Sequence, residues 1–229
     1  MPNYYVHEIF GERVAQRLPA TLRRAIAQDP TAFRVGLYGP DPLIFSPGCL
    51  NTARKLHANW QEDLDCVQTL MNRPRVGEVS FAAGWLCHMA LDDACHQYIH
   101  RMEEERDLSH MLMEMSLDFC MLQEERAAKP NPFRVYEKPR ISKLAASLIT
   151  PARTWQYFEG LWSMGMTCNL MVATKSHWKQ QVTQDYVEPT ARLRRIVEET
   201  VSPTVRLTNQ LWEGVQSEED EEGLLLGSI

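Results

Sequence analysis

No segment of the 229-residue chain alternates apolar and polar residues over a strand length, which argues against a β-sheet core. Gly-x-Gly-x-x-Gly, the P-loop pattern and Gly-x-Ser-x-Gly are all absent, so the sequence lacks the signatures of dinucleotide folds, P-loop NTPases and α/β-hydrolases. There is no internal repeat. Cys49, Cys66, Cys87, Cys95, Cys120 and Cys168 form no Cys-x-x-Cys pair, and several sit among apolar helical residues, where a thiol acts as a small hydrophobe. With no basic-then-apolar pattern in MPNYYVHEIF, this cysteine usage predicts a reduced, cytoplasmic protein without a secretory signal. No apolar run approaches the roughly 20 residues that span a bilayer. Acidic residues outnumber basic ones, 30 to 24, and the net charge of −6 argues against a broad nucleic-acid surface.

What is present is concentrated in GWLCHMALDDACHQYIHRMEEERDLSHMLMEMSLD, from Gly84 to Asp118, which holds four of the seven histidines. His88, Asp92, His96 and His100 recur every four residues. On an α-helix each such step turns the side chain by about 40° and rises about 6 Å, so the first three line one face with His100 at its edge. After the charged break EEERD come His110, Glu114 and Asp118 at the same spacing. Two antiparallel helices would turn these rows toward each other. The neighbouring residues are largely apolar. Burying so many titratable groups without an ion would cost several kcal/mol each, so the pattern predicts a metal site inside a helical bundle.

The rest of the chain also reads as helix. Helices are predicted over Tyr4 to Leu18, from Asp29-Pro30 to Gly39, and within Asn51 to Met71, mainly in its second half. The two site helices follow, over Val76 to Met102 and Asp107 to Ala127. PDPLIFSPG and KPNPFRVYEKPR read as loops. Ser142 to Ile149, Thr150 to about His177, and Glu188 to Val215 with a kink at Ser202-Pro203 complete seven to nine helices. The expected architecture is an all-α, single-domain bundle over residues 1–216, followed by a disordered acidic tail over 217–229.

In the order His7, Asp41 within Gly-Pro-Asp, His57, His88-x3-Asp92, His96 or His100, and His110-x3-Glu114, the chain resembles the zinc-dependent phospholipase C family. The resemblance spans His7 to Asp118. It implies an all-α fold and up to three zinc ions cleaving a phosphodiester. Carried over by position, Asp41, His57, His88 and Asp92 would hold one ion. His96, His110 and Glu114 would hold a second, and His7 with Asp92 a third. The helical face favours His96 over His100. Imidazole and carboxylate ligands without thiolates suit zinc. Secreted members also supply an N-terminal Trp to the third ion, whereas this chain begins Met-Pro.

The resemblance implies hydrolysis of a small or lipid phosphodiester, with Asp41 as the carboxylate that orients or deprotonates the attacking water. Two other readings stand beside it. A single-strand nuclease or nucleotidase would need stacking positions, for which Tyr38, Phe45 and Trp60 are candidates. A non-catalytic metal-stiffened module would need only one closed site.

Overall fold

The computed structural model describes residues 4–72, 75–125, 137–146, 148–149, 153–174 and 183–226. Among these residues there are ten α-helices and no β-strand, so the all-α expectation holds. The helices are α1 (Tyr4–Arg17), α2 (Ala20–Gln28), α3 (Pro30–Leu37), α4 (Leu50–Ala58), α5 (Trp60–Met71), α6 (Val76–Arg106), α7 (His110–Glu125), α8 (Lys138–Ala145), α9 (Thr154–Ala173) and α10 (Val187–Leu226). No helix among the described residues is long and apolar enough to cross a membrane.

The count exceeds the expected one because Ala20–Gln28 and Leu50–Ala58 are helices of their own. Pro19 separates α1 from α2. Asn59 leaves the helical region at φ −110°, ψ 55° and divides Asn51–Met71 into α4 and α5. Its side-chain amide donates to the Glu62 carboxylate in the first turn of α5 at 3.0 Å. Conversely, the charged EEER run does not break α6, since Glu and Arg are good helix formers. The helix stops one step later at Asp107, in the left-handed region at φ 52°. The predicted loop PDPLIFSPG contains a 3-10 turn over Asp41–Phe45. The short helix expected over Ser142 to Ile149 lies earlier, as α8, with Pro139 in its first turn. The expected start of the next helix, at 150–152, and most of KPNPFRVYEKPR lie outside the described residues. The backbone of α10 runs on to Leu226, through most of the stretch read as an acidic tail.

α6 is the central element and is buried on nearly every face, with Phe81, Trp85, Leu86, Cys87 and Ile99 inaccessible to solvent. α3 crosses it closely enough that two glycines are required. A Cβ at Gly36 would stand 2.2 Å from the Phe81 carbonyl oxygen, and one at Gly84 would stand 2.1 Å from that of Phe33. The N-terminal end of α3 is fixed as well: the Asp29 carboxylate accepts the Ala32 N–H at 3.0 Å and pairs with Arg140 of α8.

Gly36→Ala is expected to destabilise the protein by about 1–3 kcal/mol through overpacking. That corresponds to roughly 2–4 °C in Tm per kcal/mol for a chain of this size. Gly165→Ala, where an added Cβ meets nothing within 4 Å, is expected to be neutral or to stabilise α9 by up to about 1 kcal/mol. Thermal melts of the two variants check this. A Gly36→Ala protein that melts with wild type would contradict the close crossing.

Candidate metal centre

The first group of polar side chains is assembled by a turn and two helices. After α3, Gly39 adopts φ 48°, and a Cβ there would stand 2.1 Å from the His88 ring. Only glycine lets the backbone pass the imidazole and enter the turn that carries Asp41. The Tyr157 hydroxyl of α9 donates to the Gly39 carbonyl at 2.8 Å, and Gly160 brings the α9 backbone against Pro42, so the turn is held from behind. Asp41 Oδ1 then lies 3.0 Å from Nε2 of His57, in the last turn of α4. His57 Nε2 is also 3.3 Å from Asp92 Oδ2, and the same oxygen is 3.3 Å from His88 Nε2. Ligand atoms of Asp41, His57, His88 and Asp92 all lie within 4.8 Å of one another.

The second group is formed by His96, His110 and Glu114. Glu114 Oε1 lies 3.3 Å from His96 Nε2 and 3.1 Å from His110 Nε2. The chain reversal after α6 makes this possible: the Asp107 N–H returns to the Glu103 carbonyl, and the Ser109 N–H donates to the Tyr186 hydroxyl at 3.0 Å. His100 is not part of this group; it faces solvent and contacts Glu103 at 2.9 Å. A third contact comes from α1, whose His7 is buried with Nε2 3.2 Å from Asp92 Oδ1 and its ring stacked on His88.

Asp118, the last carboxylate of the α7 row, has a different place. It accepts the Val6 N–H at 3.0 Å and a further bond from the Tyr5 N–H, which satisfies donors at the start of α1 and fixes the turn bearing His7. Burial pushes its carboxyl up to about 7 against those two donors. Its four-residue spacing points to the site face but does not distinguish a ligand from an anchor. Glu103 lies outside the sequence pattern, although its position three residues after His100 is a helical pairing signal.

Proton counting shows what the two groups suit. A carbonyl only accepts, so His88 Nδ1, 3.2 Å from the Leu37 oxygen, carries the ring proton. Burial lowers His88 to about 4 although the Asp92 charge pulls the other way, so its neutral ring presents a lone pair at Nε2, which makes no hydrogen bond. His57 Nδ1 is likewise tied to the Ala53 carbonyl at 2.8 Å. Burial opposes charging His57, but the hydrogen bonds to Asp41 and Asp92 outweigh it and raise the ring to about 11. Burial also opposes charge on His96, which the Asp92 charge and the Glu114 bond carry up to about 9. Asp92 is held well below the usual range: burial pushes it up, and His88, His96, His57 and His7 more than offset that. Glu114 is brought down to about 2 by His110 and His96 against its burial.

These inward nitrogens and carboxylates face one another at 3.0–3.3 Å. Ligands on a tetrahedron with bonds of about 2.0–2.1 Å stand about 3.3 Å apart. The buried, unbonded His88 Nε2 is the clearest sign of fit, because a lone pair aimed at a carboxylate is satisfied by a cation between them. No cysteine joins either group among the described residues, and the nitrogen and oxygen donors match zinc. Both groups open into a cavity of about 490 Å³.

A model of the family described as zinc dependent phospholipase C matches residues 6–164. The chain belongs to that family. The match contains both groups, His7, and α9 as far as Met164. No curated protein and no solved structure matches the chain. The family is zinc-dependent, and His7, Asp41, His57, His88, Asp92, His96, His110 and Glu114 are brought together around the middle of α6 in this fold.

Zinc binding to the metal-free protein at pH 7 is expected to release protons, since His57 and His96 are raised above 7 and the Asp92 and Glu114 carboxylates raise His7 and His110 as well, while His88 is already neutral. The linkage has two signs. In the metal-free protein the raised His57 and His96 contribute stability that is complete below about 6.5 and is lost as pH rises through about 9 and then about 11. In the zinc-loaded protein, falling pH instead weakens metal retention by protonating the ligands. Titration calorimetry in buffers of differing ionisation enthalpy measures the release. Binding without proton release would contradict this electrostatic account.

Proposed function

We propose that the chain is a zinc-dependent hydrolase of phosphodiesters, with a phospholipid headgroup ester or a small phosphodiester as its substrate class. His96 is the observation that carries this reading. Its Nδ1 lies 3.9 Å from Asp92 of the first group and its Nε2 3.3 Å from Glu114 of the second. Two cation positions therefore adjoin on the floor of one cavity, an arrangement suited to a phosphate with two non-bridging oxygens. Zinc ions held by these groups would neutralise the phosphate oxygens and lower the pKa of water.

The remaining chemistry falls to the protein. Asp41, buried and held by the turn between α3 and α4, takes a proton from the attacking water. The water oxygen bonds to phosphorus, the bond from phosphorus to the leaving oxygen breaks, and that oxygen takes its proton from solvent in the open cavity. His57, anchored through Nδ1 to the Ala53 carbonyl, would give its Nε2 to the same ion as Asp41. Pro40, Ile44, Leu56, Trp60 and Met89 line the walls and suit an apolar substituent on the ester.

The nuclease reading is less well supported. Tyr38 is 1% exposed and stacked on Tyr4, and Phe45 does not line the cavity, so Trp60 alone of the three aromatic candidates is available there. Arg54 is the one Lys or Arg among the described lining residues, a poor match for a polyanion. Against a closed, non-catalytic metal module stands the partial exposure of His96 and His110, which face the cavity.

Asp41→Asn is expected to retain the fold and most of the zinc, while turnover of an aryl phosphodiester falls at least about a hundredfold. Asn preserves shape and one oxygen but takes no proton at neutral pH. Zinc content and turnover are measured side by side in both proteins. An equally active Asn variant would remove Asp41 from proton transfer, and zinc-loaded wild type without turnover on aryl or lipid diesters would count against the hydrolase reading.

A further inference from the structure

Glu103 lies outside the two groups yet touches one of them. It sits near the end of α6, and its Oε2 is 3.2 Å from His110 Nδ1 and 2.9 Å from His100 Nδ1. The other nitrogen of His110 is the one 3.1 Å from Glu114, inside the second group. A neutral imidazole has one N–H and one lone pair. With a carboxylate at Nδ1, the proton belongs there and the lone pair belongs to Nε2, aimed at the cation position.

We propose that Glu103 is a positioning residue for the second ion, acting through His110 by accepting its Nδ1–H. His100 tethers the same carboxylate oxygen from the adjacent turn of the helix. This inference rests on the reading that His96, His110 and Glu114 hold zinc. A carboxylate behind a ligating imidazole fixes its tautomer and ring orientation and increases its basicity.

His100, Glu103 and His110 also stand close enough to form a cation group of their own. The count of lone pairs decides against it. Once His110 gives Nε2 to the second group, its Nδ1 keeps a proton and has nothing to offer another ion. The side chains of His100 and Glu103 are 60% and 36% exposed, so water competes for a cation there far more than at the buried Glu114. The function left for Glu103 is that of acceptor.

The test compares zinc affinity in wild type, Glu103→Ala, Glu103→Gln and His100→Ala by competition with a chromophoric chelator. Glu103→Ala is expected to weaken one zinc equivalent about 10- to 100-fold and leave the others unchanged. Glu103→Gln, which keeps an accepting oxygen, loses less, and His100→Ala changes affinity about threefold or less. Imidazole ¹⁵N shifts of the zinc-loaded protein report His110 protonated at Nδ1 in wild type, a signature that Glu103→Ala weakens and a merely structural role would not move. Unchanged affinity in Glu103→Ala overturns the proposal. So does loss of one whole zinc equivalent in both Glu103→Ala and His100→Ala, since Glu103 would then be a ligand. If the Ala variant does not fold, Glu103→Gln decides by the same criteria. A wild-type protein that binds no zinc overturns both this inference and the hydrolase reading. Zinc weakened by Glu103→Ala in a protein without turnover leaves the role of Glu103 standing and removes the hydrolase reading alone.

Discussion

Asp92, its side chain 15% exposed, points its two carboxylate oxygens at different histidines: Oδ1 meets His7 of α1, and Oδ2 meets His57 of α4 and His88 of its own helix. A carboxylate removed from water in this way has to be matched by positive charge, and the surrounding rings hold it ionised against its burial. α1 and α4 each bring one imidazole to this point. The same demand extends through His96 to Glu114, so the two cation groups form one continuous polar seam inside an otherwise apolar bundle. Membership of a zinc-dependent family supplies a chemical reason for a fold to keep such a seam.

The seam is built from neighbours far apart in sequence, and small residues and caps make the approach possible. Gly39 lets the turn pass the His88 ring, and Gly36 with Gly84 let α3 lie on α6 at backbone contact. Asp118 ties the first turn of α1 to α7, and Tyr157 closes the back of the Asp41 turn. None of these groups needs to touch an ion. Each restricts a segment whose functional side chain would otherwise have rotational freedom, which is how a site drawn from four helices and a turn becomes a single arrangement.

The helical rows were the legible part of the site. Four-residue spacing on α6 puts His88, Asp92 and His96 on one face, and the same spacing on α7 offers His110 and Glu114. Those residues do come together, with His96 rather than His100 meeting Glu114. His7, Asp41 and His57 carry no periodic signal of their own. They were placed by resemblance to the family order, since long-range proximity of a turn and two helix ends has no local signature. Asp118 shows the limit from the other side: it obeys the spacing yet faces the α1 N–H groups, because helical periodicity fixes a face to within a few tens of degrees and not the partner on it. The helix at Leu50–Ala58 is not legible in the sequence, which shows helix mainly in the second half of Asn51–Met71, where α5 lies; its contacts with the Asp41 turn are tertiary and leave no local signal.

The central claim is that this polar seam exists to hold metal. Elemental analysis of the purified, zinc-equilibrated protein after removal of loosely bound ions tests it most directly. The account predicts at least two zinc ions per chain, retained at neutral pH. A well-folded protein that retains none, or only one, would contradict it.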